Sequence, residues 1–144
     1  TGELLKSFLA RLPAPLCLVA HNGDLYDFPL LKAELEKAGI TLPPDTLCAD
    51  SYVGMKEIFK IIEESKHLKT NMDFIRLGSP ASYSLINLHK QLLGYSPTQS
   101  HGAEADCLTL IRTTAALGNT WVEWLQENCY HFSRCARMWS FRAL

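Results

Sequence analysis

Apolar residues recur along this chain with two different periods, and the switching between them predicts its architecture. From Glu3 to Arg11 they return every three or four positions. Leu4, Leu5, Phe8, Leu9 and Leu12 fall on one helical face. Pro13 and Pro15 end that helix. Leu16 to Ala20 is a continuous apolar run, the pattern of a strand buried on both faces. Asp24 to Ala38 reads as a helix with Asp24 as its N-cap and Gly39 as its C-cap. Pro29 must lie near its start, because proline is tolerated only in a first turn. Thr46 to Ala49 reads as a short strand, and Asp50 as a cap before a helix from about Tyr52 to Glu64. Lys66 to Pro80 has no clean period and reads as a loop. Three further helices follow, at Tyr83 to Leu93, Ala103 to Leu117 and Thr120 to Asn128. The last carries Trp121, Trp124 and Leu125 on one face.

This β-α-β-α order predicts an α/β fold with parallel strands under helical cover. Two strands beside so many helices make a small sheet, and the sheet is expected to be truncated. Residues 1–128 read as one partial domain. Residues 129–144 form a tail that mixes Arg134, Arg137 and Arg142 with Phe132, Trp139 and Phe141, and its role is open on sequence alone.

Composition narrows the picture. A formal charge of −1 over 144 residues supplies no overall positive field to gather nucleic acid, so any grip on a polyanion is local or carried by metal ions. Five cysteines without C-x-x-C spacing suggest a reducing compartment, cytoplasmic or nuclear. Cys129, His131 and Cys135 are too few for a closed tetrahedral zinc site. No apolar run approaches the ~18 residues of a membrane span. The chain opens at Thr1 rather than at a methionine, so an upstream extension is expected.

Two stretches carry candidate chemistry. His21-Asn22-Gly23-Asp24-Leu25-Tyr26-Asp27 follows the first strand directly, at the carboxyl end where open α/β sheets place ligands. Asp27 lies in the first turn of the next helix, where a carboxylate is also favoured by the helix dipole alone. In Ser100-His101-Gly102-Ala103-Glu104-Ala105-Asp106 a histidine stands on a loop, five residues before an aspartate on a helix. That spacing offers a general base and a metal ligand. Asp106 has Ala103 and Leu110 one turn either side, so it is expected to project from a largely apolar face. An ionised carboxylate there is costly unless paired or metal-bound.

His-Asn-Gly-x-x-Tyr-Asp-Phe-Pro-Leu-Leu at 21–31 resembles the second exonuclease motif of the DEDDh (DnaQ-like) superfamily. Ser-His-x-Ala-Glu-x-Asp at 100–106 resembles its third. Ser82-Tyr83-Ser84-Leu85 and Gly94-Tyr95-Ser96-Pro97 resemble the three-prime repair exonucleases in particular, and the likeness covers about residues 3–128. It implies a ribonuclease H-like fold that removes nucleotides from DNA 3′ ends with two divalent metal ions, Mg2+ or Mn2+. It implies that Asp27 and Asp106 serve the metal site, that His101 is the general base, that Tyr26 meets the terminal nucleotide, and that Asn22 also contacts nucleic acid. A basic loop in related enzymes implies phosphate contacts for Lys66, Lys69 and Arg76. Single-stranded DNA or DNA 3′ ends are the implied partners, with a homodimer in the longer protein.

One departure stands out. The family's first motif, Asp-x-Glu, supplies the remaining metal ligands, and no Asp-x-Glu occurs in this sequence. The chain therefore resembles the C-terminal two-thirds of such a domain and is expected to be inactive alone. Asp24 and Asp50 read as caps rather than as substitutes. The alternatives are a non-catalytic remnant that binds nucleic acid or protein, and a related exonuclease acting on RNA.

Overall fold

The computed structural model describes residues 1–65, 78–98 and 102–138. It is a mixed α/β structure that divides into two units: Thr1–Ser51 with the described residues from Asn128 onward, and Tyr52–Glu127. No described helix is long and apolar enough to cross a membrane.

In the first unit, α1 (Gly2–Leu9), β1 (Cys17–Ala20), α2 (Asp27–Ala38) and β2 (Leu47–Asp50) follow one another. β3 (Tyr130–His131) and a single 3-10 turn (Phe132–Arg134) return from far along the chain. The sheet order is β1-β2-β3. β1 and β2 are parallel, with Cys17 opposite Leu47 and Ala20 opposite Asp50. β3 is antiparallel, with Cys48 opposite Tyr130. The Phe132 N–H donates to the Thr46 carbonyl and extends that pairing by one step.

β3 escapes the sequence pattern because two residues cannot display an alternation. β1 also departs from expectation. Its residues are half-buried rather than fully enclosed, since β1 is the sheet's edge and pairs with β2 alone among the described residues. The central strand is the one that is enclosed: Cys48, Ala49 and Asp50 of β2 are all buried.

The unit's core gathers Leu9, Phe28, Leu35, Leu42, Cys48, Phe132 and Cys135. The ring of Phe28 meets that of Phe132 edge-on, at 6.4 Å between centroids. α1 gives this core only part of its apolar face. Leu9 is buried and Leu5 packs against the cluster, a pair at i, i+4 spacing. Leu4, Phe8 and Leu12 stay exposed, contrary to the single buried stripe the periodicity suggested. α2 ends as expected at Gly39, whose φ of 67° is the left-handed conformation that glycine adopts without a Cβ penalty.

The second unit is helical. α3 (Ser51–Ser65) begins directly from β2, and α4 (Leu85–Leu93), α5 (Ala103–Leu117) and α6 (Asn119–Asn128) follow. Met55, Ile58, Phe59, Ile62, Leu88, Leu117, Trp121 and Trp124 are its buried apolar residues. The Trp121 and Trp124 rings stack at 5.3 Å, as the i, i+3 spacing allows. Gly54 in α3 makes room for them: a Cβ there would lie 2.8 Å from each indole. The Trp124 indole N–H donates to a Glu57 carboxylate oxygen at 2.6 Å, which satisfies the one polar atom the ring brings inside. α4 starts at Ser84, whose hydroxyl accepts the Asn87 N–H as an N-cap.

Candidate active site

The segment from His21 to Asp27 leaves the carboxyl end of β1 and enters α2. It is a run of turns, and side chains from other segments help to hold it. Asn22 adopts φ 63°, a left-handed conformation that costs most side chains energy but that asparagine tolerates. The N–H of Asn22 donates to Oδ1 of Asp50 at 2.8 Å, and the N–H of Asp24 donates to Oδ2 of the same carboxylate at 3.1 Å. Asp50 ends β2 and is only 3% exposed. One buried carboxylate thus spans two backbone donors across 28 and 26 residues of sequence. The His21 ring adds a bond between Nδ1 and the Ser51 hydroxyl at 2.9 Å.

Asp24 was expected to cap α2, and the structure gives it other work. Asp50 directly precedes α3, as expected of a cap, and its carboxylate also accepts the two N–H groups of the turn. α2 begins at Asp27, with Tyr26 at its N-cap and no side-chain cap bond. The Asp24 carboxylate instead accepts from the Tyr130 hydroxyl of β3. Burial, followed by these bonds to Asp24 and Cys48, drives the Tyr130 hydroxyl far above the ordinary phenol range, so it stays protonated and donates. Burial likewise pushes the Cys48 thiol up to about 12 and the Cys17 thiol up to about 11.

Past this tethered turn the chain closes into α2. The Phe28 N–H donates to the Gly23 carbonyl, and Phe28 and Pro29 are buried. Gly23 is needed for that closure, since a Cβ there would lie 2.8 Å from both the Phe28 ring and the Ala20 side chain. Pro29 occupies the first turn, where its missing N–H has no helical acceptor to lose. Tyr26 and Asp27 are left exposed, Tyr26 at 66%.

In the second unit, Asp106 lies in the first turn of α5, and its N–H donates to the Gly102 carbonyl as ordinary helix geometry requires. Asp106 is exposed, as is Ala103, while Leu110 is half-buried. The largely apolar surroundings expected for Asp106 are not found, because the buried face of α5 runs through Thr109, Thr113 and Leu117 instead. Around the Ser82-Tyr83-Ser84-Leu85 stretch, the Asn87 amide donates to the Ser82 hydroxyl at 2.6 Å, and the Tyr83 ring meets Tyr52 and Phe59 edge-on. His89, fully buried, uses Nδ1 against the Tyr95 carbonyl at 2.8 Å.

His101, Lys66, Lys69 and Arg76 lie outside the described residues. Among the described residues, no three or more histidine, cysteine, aspartate or glutamate side chains gather closely enough to hold a metal ion. Asp27 belongs to the first unit and Asp106 to the second. A hollow of about 220 Å³ in the first unit is lined by residues such as Lys32, Leu35, Ile40, Leu42 and Phe132, and by none of Asn22, Tyr26 and Asp27.

No protein-family model matches the chain. Curated proteins do. Three-prime repair exonuclease 1 of Homo sapiens is 38% identical over 143 residues, 99% of this chain and 42% of its own length. The chain is a relative of the three-prime repair exonucleases. The Bos taurus three-prime repair exonuclease 1 is 36% identical over 138 residues, and three prime repair exonuclease 2 of Mus musculus is 37% identical over 107. These matches span 41% and 42% of the respective relatives. The chain therefore spans under half the length of the curated relatives it matches.

Sequence reasoning missed Asp50 and Tyr130 as residues that hold the segment from His21 to Asp27. A trace of Asp50 was available, since it is the one acid at the carboxyl end of an apolar strand. Tyr130 left no signal, because its partner Asp24 lies 106 residues away.

Proposed function

We propose that the chain is the C-terminal portion of a ribonuclease H-like 3′→5′ DNA exonuclease domain, which hydrolyses phosphodiester bonds from DNA 3′ ends. The observation that carries this reading is a pair of motifs, His21 to Leu31 and Ser100 to Asp106, in the right order within a match to a three-prime repair exonuclease that covers 99% of this chain and 42% of the relative. Tyr26 and Asn22 bind the terminal nucleotide. Tyr26 is exposed and aromatic, suited to stacking on a base. His101 takes the proton of the attacking water, a role suited to a side chain that titrates near neutrality. Asp27 and Asp106 are the carboxylates that serve a divalent metal cofactor, Mg2+ or Mn2+. Lys66, Lys69 and Arg76 contact backbone phosphates.

The donor set does not fit a metal site by itself. The described residues bring no three ligating side chains together, and the sequence has no Asp-x-Glu. In this reading two carboxylates come from an upstream strand, which adds to the edge of the sheet at β1 and completes the fold. The chain alone is then a nuclease fragment without activity, located in cytoplasm or nucleus, and any dimer belongs to the longer protein.

The test uses a completed chain, in which an upstream Asp-x-Glu strand segment of a relative is joined to Thr1. With Mg2+ and a 5′-labelled single-stranded deoxyoligonucleotide, a ladder of labelled, progressively shorter products is expected. Early release of the labelled nucleotide would indicate attack from the 5′ end and contradict the reading. Faster digestion of the RNA of the same sequence would move the substrate to RNA.

A further inference from the structure

The 22–24 turn is specified by contacts that neither motif contains. Its backbone passes through a left-handed residue, Asn22, and makes no ladder bonds to a neighbouring strand. Asparagine tolerates that conformation, but the N–H groups of the turn still need acceptors from elsewhere in the fold. Here the surroundings are a buried carboxylate from the end of β2 and a tyrosine from β3, two strands that the chain brings together from opposite ends of the first unit.

We propose that Asp50 is a positioning residue for the candidate nuclease site. Its carboxylate holds the 22–24 backbone and thereby sets Tyr26 and Asp27 at the start of α2, with Tyr130 bracing the same turn through Asp24. The inference rests on the functional reading above for what Tyr26 and Asp27 do, but not for how they are held.

The chemistry is specific to a carboxylate. Two backbone N–H groups point at two separate oxygens of one side chain, at 2.8 and 3.1 Å. Hydrogen bonds to a charged acceptor are about twice as strong as neutral ones. An asparagine at position 50 has the same shape but offers one acceptor oxygen and one NH2 group. One of the two N–H donors would then face another donor inside a buried site, and a buried donor left unmet costs more than the bond itself was worth. Tyr130 strengthens the arrangement from the other side. Its hydroxyl fixes the Asp24 side chain, and so the residue whose N–H meets Asp50. β1 reaches the same place through register: Ala20, the last residue before the turn, sits opposite Asp50 in the ladder. The turn therefore starts from a position that already faces its clamp.

The decisive measurement is amide hydrogen exchange by NMR on the 144-residue chain, in wild type, Asp50→Asn and Tyr130→Phe. In Asp50→Asn the Asn22 and Asp24 amides should exchange at least ~10-fold faster, as expected for loss of one charge-assisted bond. The resonances of Tyr26 and Asp27 should shift, while the amides of Ile58 and Leu117 keep their wild-type protection. Tyr130→Phe, which keeps the ring and should keep the fold, should show a smaller acceleration at Asp24 in the same direction. A general structural role would instead lower protection throughout the first unit, and unchanged exchange at Asn22 and Asp24 in both variants would overturn the proposal. If Asp50→Asn does not fold, Tyr130→Phe decides alone. Digestion by the completed chain is a separate arm. Asp50→Asn should lower kcat by ~10-fold or more with a smaller change in KM. A wild-type completed chain that digests nothing counts against the functional reading, and leaves the clamp to be judged by exchange.

Discussion

Asp27 and Asp106 both stand in the first turn of a helix and both are exposed, yet they reach those positions by different means. Asp106 is delivered by a long helix. α5 runs from Ala103 to Leu117, its buried face is fixed by Thr109, Thr113 and Leu117, and the Asp106 N–H makes the backbone bond that any helix makes there. Asp27 is delivered by a tethered turn. Before α2 begins, the chain must pass a left-handed asparagine, a carboxylate 26 to 28 residues away and a tyrosine 106 residues away. One of the two segments is thus specified locally and the other by tertiary contacts. Substitutions should therefore separate function from stability at Asp106, and should mix the two around Asp27.

The largest expected effects follow from that separation. In the completed chain, His101→Ala should slow single-turnover digestion by ~10²–10⁴-fold, as removal of a general base does, and Asp106→Asn should cost at least as much. Thermal melts of Asp106→Asn should stay within ~0.5 kcal/mol of wild type, because the residue is exposed. Loss of activity with an equal loss of stability would show that Asp106 is a structural residue.

On the tethered side the anchor is Phe28, buried in the first unit's core against Phe132. Phe28→Ala should destabilise by ~3–5 kcal/mol in denaturant titrations and should carry the Asn22 to Asp27 segment with it. A change below ~1 kcal/mol would mean the segment does not depend on that packing.

In the second unit the matching test is Gly54→Ala. The added Cβ would meet both tryptophan rings at 2.8 Å, so the variant should lose ~1–3 kcal/mol. The near-ultraviolet signal of the stacked indoles should change as well. The smallest effect belongs to a cap: Ser84→Ala removes the acceptor for the Asn87 N–H and should cost ~1 kcal/mol.

Stability should also depend on alkaline pH through the first unit. The Cys17 and Cys48 thiols are raised from 9.0 to about 11 and about 12, mainly by burial. The folded state thus holds these protons after the unfolded chain has lost them. Stability is complete below pH 9, then falls as pH rises through the raised values. Denaturant midpoints measured from pH 8 upward should be flat at first and then decline, and Cys48→Ala should flatten the decline.

Much of this architecture was legible from periodicity. α2, α3, α4, α5 and α6 lie where their apolar spacing put them, and Gly39 and Gly94 end α2 and α4 in the left-handed conformation that closes a helix. These elements are specified by neighbours in sequence, so a single chain displays them. The failures are long-range. β3 is two residues long, and only its pairing with β2 makes it a strand. Asp24 looked like a cap because its partner Tyr130 lies on a distant segment, and the two N–H groups that Asp50 accepts lie 28 and 26 residues before it. α1 looked like a core helix, but only Leu5 and Leu9 reach the cluster. The candidate residues Asn22, Tyr26, Asp27 and Asp106 were readable as motifs, whereas Tyr130, which braces the first segment through Asp24, was not.

In the function proposed above, this chain carries one part of a two-part nuclease. The most direct measurement is digestion of a 3′-labelled deoxyoligonucleotide by purified residues 1–144, with Mg2+ and with EDTA, beside the completed chain. The account predicts no EDTA-sensitive release of label by 1–144 alone, and Mg2+-dependent release once the Asp-x-Glu segment is joined. Robust, EDTA-sensitive digestion by 1–144 alone would contradict it, because the chain would then assemble its metal site without those carboxylates.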